Sequence, residues 1–263
     1  MTIIAGFYCK DGILLCADTE QSYTESKSQV NKLVSFRVGE ALLAVGGAGD
    51  ASLADYVIQD LPKYLRTQTN DLPDMEKALN AYAQRIFRDH VQVYAGFPRD
   101  HIPEVSFLIG LVMDGQARLF KWERNFLYLA TQNTSIGAGN VYSETLANKI
   151  DVGYAFESMF LFAVRMMLRT KQSVAGCGGY TEYKFLRSDS SIASGLSLPI
   201  EVEQFVEQVD DLFGTLLISF ISDVRQLDAS QEEVLLDQRK RLLKQLRERY
   251  IKLMPLMRNV DSH

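Results

Sequence analysis

The chain opens with two nearly continuous apolar runs, Thr2 to Cys9 and Ile13 to Asp18, on either side of Lys10-Asp11-Gly12. The glycine supplies the backbone freedom a tight hairpin turn needs. The two runs do not alternate apolar with polar, as strands with one wet face do. Both of their faces must be covered, so the hairpin belongs inside a layered α/β structure and not on the rim of a small sandwich.

The rest of the chain fits that frame. Glu20 to Gln29 is polar and reads as a loop. Lys32 to Phe36 and Ala41 to Val45 read as strands around a turn at Gly39. Gly46-Gly47-Ala48-Gly49-Asp50 reads as a flexible turn that opens a helix, in which Leu53, Tyr56, Val57 and Leu61 recur at helical spacing. A second helix starts after Pro73 and runs to about Tyr94. Strands return at Val105 to Val112, Ala117 to Trp122 and Phe126 to Ala130. Helices follow over Val141 to Ile150 and Tyr154 to Thr170, and a last strand pair brackets Gly178-Gly179, near Val174 and Tyr183 to Leu186.

Buried strands flanked by helices predict an α+β fold, a four-layer α-β-β-α sandwich over residues 1–198. Beyond Leu198 the composition changes. Glu201 to Val224 and Gln231 to Met254 predict two long amphipathic helices, a C-terminal extension over 199–263, with Ser230 and Glu233 placed as a capping box.

Composition removes several function classes. A net charge of -5 gives no basic face for nucleic acid. No apolar run reaches membrane-spanning length, the richest being Leu212 to Ile221, and the N-terminus lacks the basic-then-apolar pattern of a signal peptide. Cys9, Cys16 and Cys177 form no Cys-x-x-Cys pair, which suits a reducing compartment and predicts a cytoplasmic protein. No zinc spacing, Walker loop or dinucleotide fingerprint is present, so no cofactor is expected.

Three residues carry chemistry together. Thr2 becomes N-terminal if Met1 is trimmed, and one residue then offers a hydroxyl nucleophile and an α-amine base. The amine's reference pKa of about 7.7–8.0 suits proton transfer near neutrality. Asp18 ends the second strand and Lys32 begins the next. A lysine beside the hydroxyl stabilises developing negative charge, and an aspartate beside the lysine keeps it protonated. The glycines at 46, 47 and 49 offer unhindered amides for an oxyanion. Each of these features alone also has a plain structural explanation.

Their order along the chain resembles the proteasome β subunits and the bacterial proteasome-like peptidases, which are N-terminal-nucleophile hydrolases. The resemblance rests on Thr2-Ile3-Ile4-Ala5-Gly6, Asp11 to Asp18, Asn31-Lys32-Leu33, Val45 to Asp50, Ile136 to Tyr142 and Cys177-Gly178-Gly179, and covers residues 2 to 190. It implies a threonine-type endopeptidase with Thr2 as nucleophile, Asp18 and Lys32 tuning it, and the Gly46 amide binding the oxyanion. Val30, Ala44 and Ala48 would line the substrate pocket. It also implies peptides or unfolded proteins as substrates, self-association into a ring-like homo-oligomer, and an unfoldase as candidate partner. Ala138, Val174 and Cys177 depart from the family's Ser, Asp and Ser, with Ser135 and Ser173 as candidate substitutes. Two alternatives stand beside the peptidase: a non-catalytic assembly subunit of the same fold, and an amidase acting on a small molecule.

Overall fold

The computed structural model describes residues 2–22, 27–67, 71–147, 150–195, 202–211, 237, 240–241 and 243–253. By internal contacts the chain divides into two compact units, Met1–Leu198 and Pro199–His263.

The first unit has a mixed α/β fold with two antiparallel five-stranded sheets. The opening hairpin forms as β1 (Ile3–Cys9) and β2 (Gly12–Asp18), both almost wholly buried. A short two-stranded ribbon follows, β3 (Glu20–Ser22) and β4 (Lys27–Gln29). Next come β5 (Leu33–Val38), β6 (Ala41–Gly49), α1 (Ala51–Leu65) and α2 (Leu72–Ile86). A π-helical turn, Phe87–Val91, and a 3-10 turn, Gln92–Tyr94, extend α2. Three strands then form a meander, β7 (Val105–Met113), β8 (Gln116–Glu123) and β9 (Phe126–Leu129). The unit closes with β10 (Thr134–Gly137), α3 (Asn140–Ala147), α4 (Phe156–Ser173), β11 (Thr181–Arg187) and β12 (Ile192–Gly195). The first sheet has the order β10-β1-β2-β11-β12 and the second β5-β6-β7-β8-β9.

The period-two alternation of strand side chains divides the core. On β6, Ala41, Leu43 and Val45 join Val57, Leu61, Leu79 and Tyr82 of α1 and α2, together with Phe107 and Trp122. Their neighbours Leu42 and Ala44 turn the other way and meet Ile4, Ile13, Leu15 and Ala17 of the opening hairpin, with Leu108 and Leu119. The far face of the hairpin packs on α4. There Phe7 meets Phe162 edge-on at 6.1 Å, and Phe160 meets Tyr183 at 4.8 Å on the adjacent strand. Each large apolar side chain buried in this way contributes about 1.5–3 kcal/mol before entropy is counted.

Several expectations need correction. The glycine run 46–49 is no turn, because β6 continues through it to Gly49 and Asp50 caps α1 by accepting the Leu53 N–H at 2.8 Å. The run is glycine for lack of space: a Cβ at Gly46 would meet Leu33 and Ile4 side chains at 2.7 and 3.0 Å, and one at Gly49 the Glu104 carbonyl at 2.1 Å. The polar segment after Asp18 holds the β3–β4 ribbon. β10 and β12 are strands that the apolar pattern does not mark, and Val174 caps the end of α4 instead of lying near a strand. Tyr56 faces outward at 43% exposure, although its spacing placed it in the core.

In the second unit, 202–211 and 243–253 are helical. Val202, Phe205, Val206 and Leu253 are buried, Phe205 stacks with Tyr250 at 6.4 Å, and Arg249 hydrogen-bonds Gln208. The Leu212–Ile221 run, the Ser230–Glu233 capping box and, apart from 237 and 240–241, the part of the second expected helix before residue 243 lie outside the described residues. Among the described residues, no helix is long and apolar enough to cross a membrane, and no group of three or more metal-ligating side chains converges.

Candidate active site

Asp18 ends β2 fully buried and gathers three segments of the chain. Its Oδ1 accepts the Ile3 N–H at 3.0 Å and the Lys32 ammonium at 2.8 Å, and its Oδ2 accepts the Gly178 N–H at 3.1 Å. Lys32 sits just before β5, 8% exposed, and also donates to the Glu20 carbonyl. A buried ion pair is held only where further hydrogen bonds satisfy both partners, and those described here do so.

Thr2 is half-buried, and its carbonyl accepts the Ala138 N–H at 2.8 Å. That close approach depends on Gly137, whose φ is +94° and where a Cβ would stand 2.1 Å from the Thr2 carbonyl oxygen. Thr2 and Lys32 line one cleft of about 1260 Å³, together with Val30, Gly47, Ala48, Ala51 and Ala138. Ile58 of α1 and the β9 residues Phe126, Leu127 and Tyr128 line it too.

The structure therefore brings Thr2, Asp18 and Lys32 into one neighbourhood and puts Val30 and Ala48 on the cleft wall. It does not bring Ala44 there: Ala44 is fully buried in the core between the sheets and is not among the described lining residues. Gly46 is also set back. It pairs with Leu33 on one side and Leu108 on the other, whereas Gly47, Ala48 and Gly49 line the cleft.

Of the candidate substitutes, Ser135 is buried with its hydroxyl 2.6 Å from that of Ser143, tying β10 to α3. Ser173 is an exposed final residue of α4. Cys177 is 6% exposed; burial foremost, then the negative charge of Asp18, pushes its thiol up to about 11, with Lys32 working against them.

Glu182, on β11, was not anticipated from the sequence. It is fully buried, and its Oε2 accepts the backbone N–H groups of Lys32 at 2.9 Å and Leu33 at 3.1 Å. Its Oε1 has no hydrogen-bond partner. Burial, chiefly, raises its carboxyl above the usual range, against the two amides and the charges of Lys184 and Lys32. The available signal was an acid at the head of an apolar strand, in Thr181-Glu182-Tyr183.

No family model matches the chain, and no curated protein does. Solved structures of similar fold include Anbu proteins. A Gly-1 mutant of Anbu from Hyphomicrobium sp. strain MC1 aligns with TM-score 0.65 and 16% identity over 87% of this chain and 100% of that one. Anbu from Yersinia bercovieri, described as an ancestral beta-subunit, aligns with TM-score 0.65 and 17% identity over the same shares. The Anbu complex of Pseudomonas aeruginosa, described as a helical assembly, aligns with TM-score 0.66 and 18% identity over 82% of this chain and 95% of that one. These likenesses establish the fold. They also correct the expected kinship: these neighbours are Anbu proteins, proteasome-like but a family distinct from the proteasome β subunits and bacterial proteasome-like peptidases that the opening motifs resemble.

Proposed function

We propose that this chain is a threonine-type peptidase of the N-terminal-nucleophile kind, acting through Thr2 once Met1 has been removed. The observation that carries the reading is that Thr2 and Lys32 line one cleft while buried Asp18 holds both the Lys32 ammonium and the amide following Thr2. The four-layer α-β-β-α order belongs to the same reading. It is supported by the packing of α1 and α2 on the second sheet and of α4 on the first.

The Thr2 hydroxyl attacks the carbonyl carbon of the scissile amide and passes its proton to the α-amine. The charge developing on the carbonyl oxygen falls to a backbone amide of the 47–49 segment, which lines the cleft, where a preformed donor is worth about 2.7–4 kcal/mol. The lysine ammonium holds the attacking oxygen's charge low. The protonated amine then gives its proton to the leaving nitrogen, the C–N bond breaks, and an ester remains on Thr2. Water, deprotonated by the same amine, hydrolyses it. The small apolar walls Val30 and Ala48 favour an apolar side chain beside the scissile bond.

In this reading the substrates are peptides or unfolded chains in the cytoplasm, delivered by an unfoldase to self-associated copies. The helical assembly described for the Pseudomonas Anbu complex supports self-association, and light scattering should then give a mass above that of one chain.

A fluorogenic peptide panel tests the chemistry. Thr2→Ala should abolish turnover and Lys32→Ala should lower kcat on the order of 100-fold or more. Turnover by Thr2→Ala equal to that of the unsubstituted chain, or active material that still carries Met1 by intact mass, would end this reading. A second reading, a non-catalytic assembly subunit, is favoured by Ala138 on the cleft wall and by the engagement of the Ser135 hydroxyl with Ser143. It predicts self-association with no turnover.

A further inference from the structure

We propose that Glu182 is the positioning residue for Lys32, fixing the backbone from which that ammonium reaches Asp18 and the cleft. The inference rests on the catalytic part given to Lys32 above. It stands on the way the two sheets meet at this point. Glu182 belongs to β11 of the first sheet, opposite Ala17, and its neighbour Thr181 lies opposite Asp18. Lys32 lies 150 residues earlier, immediately before β5 of the second sheet. Lys32 itself is outside the strand, so the Glu182 carboxylate supplies the acceptor that its amide would otherwise find in a ladder.

Two consecutive amides converging on one oxygen pin both peptide planes at the root of the lysine side chain. Asp18 and the Glu20 carbonyl hold only its tip. A four-carbon stem anchored at both ends keeps its charge in place, whereas one held at the tip alone can carry the pair away from the cleft. The remaining carboxylate oxygen shows what the residue is not. Oε1 is buried without a hydrogen-bond partner, and among the described residues Glu182 makes no close ion pair, so its presence costs stability that an apolar residue would not. Such a group persists where it orders a functional neighbour.

The test uses the processed full-length chain and a fluorogenic peptide, with Glu182→Gln, Glu182→Leu and Glu182→Met beside Thr2→Ala. The Gln carbonyl accepts the same two amides, so Glu182→Gln should keep kcat within about threefold. Leu or Met should lower kcat on the order of 10- to 100-fold with KM little changed, the signature of a displaced reacting group. Met follows the glutamate shape closely and serves if Leu does not fold. A Leu or Met variant with unaltered kcat, or a Gln variant as impaired as they are, would overturn the proposal.

A second readout needs no turnover. The acetylation rate of Lys32, followed by peptide mass spectrometry on folded protein, should rise in the Leu and Met variants and stay low in Gln. Equal rates in all of them overturn the positioning. Turnover by the unsubstituted chain no faster than by Thr2→Ala overturns only the catalytic reading, and the labelling result then decides the positioning on its own.

Discussion

Two buried carboxylates hold the same lysine, Asp18 at its ammonium and Glu182 at its backbone amide. Asp18 is satisfied on both oxygens, while Glu182 is satisfied on one. Burial raises the Glu182 carboxyl above its ordinary value of 4.5, although Lys184, Lys32 and the two amides pull the other way. Its folded state therefore binds a proton more tightly than its unfolded state. The stability this contributes is complete below the unfolded value and is lost as pH rises through the raised folded value. Glu182→Gln should match the unsubstituted chain at low pH and become relatively more stable above 4.5, as urea unfolding over a pH series will read.

Asp18 and Lys32 could be found in the sequence because one closes an apolar run and the other opens the next, in an order with Thr2 that resembles a known family. Glu182 could not be found in this way. Its role depends on a partner amide brought in by the packing of two sheets, and no local spacing encodes that.

At the scale of elements, β6 and α1 show how much a junction hides from composition. Three glycines before an aspartate have the makeup of a loop, yet here they are strand positions where two sheets and a helix leave no room for a Cβ. Asp50 marks the true boundary. Replacing it with Ala removes the acceptor of the Leu53 N–H and should cost about 1 kcal/mol in denaturant unfolding. The long apolar strands and the helices with a clear apolar stripe were readable because burial imposes a period on them. The ribbon of β3 and β4 was not, since three-residue strands are too short to show any period.

At the scale of the molecule, the second sheet separates two of the apolar layers of the first unit. One holds the only tryptophan, Trp122, between that sheet and the helices, and the other fills the space between the sheets. If the unit unfolds as one body, damage to either core must appear at both. Leu108→Ala, in the core between the sheets, should therefore lower stability by about 2–5 kcal/mol. Trp122 emission on the far side of the sheet should report the shift as one cooperative transition. The core between the sheets and the layer under α4 were legible from the twice-covered opening hairpin. The kinship was not, because short motifs in the right order describe a fold shared by several families.

Thr2 is gripped from one direction. Its carbonyl is bound by the Ala138 amide and the next amide by Asp18, both on the side away from the initiator methionine. Excising that methionine would cut neither bond, so the end to which the proposed function assigns the chemistry is braced beforehand. On the proposed function, trimming would then expose an amine on a scaffold already set, with no refolding required.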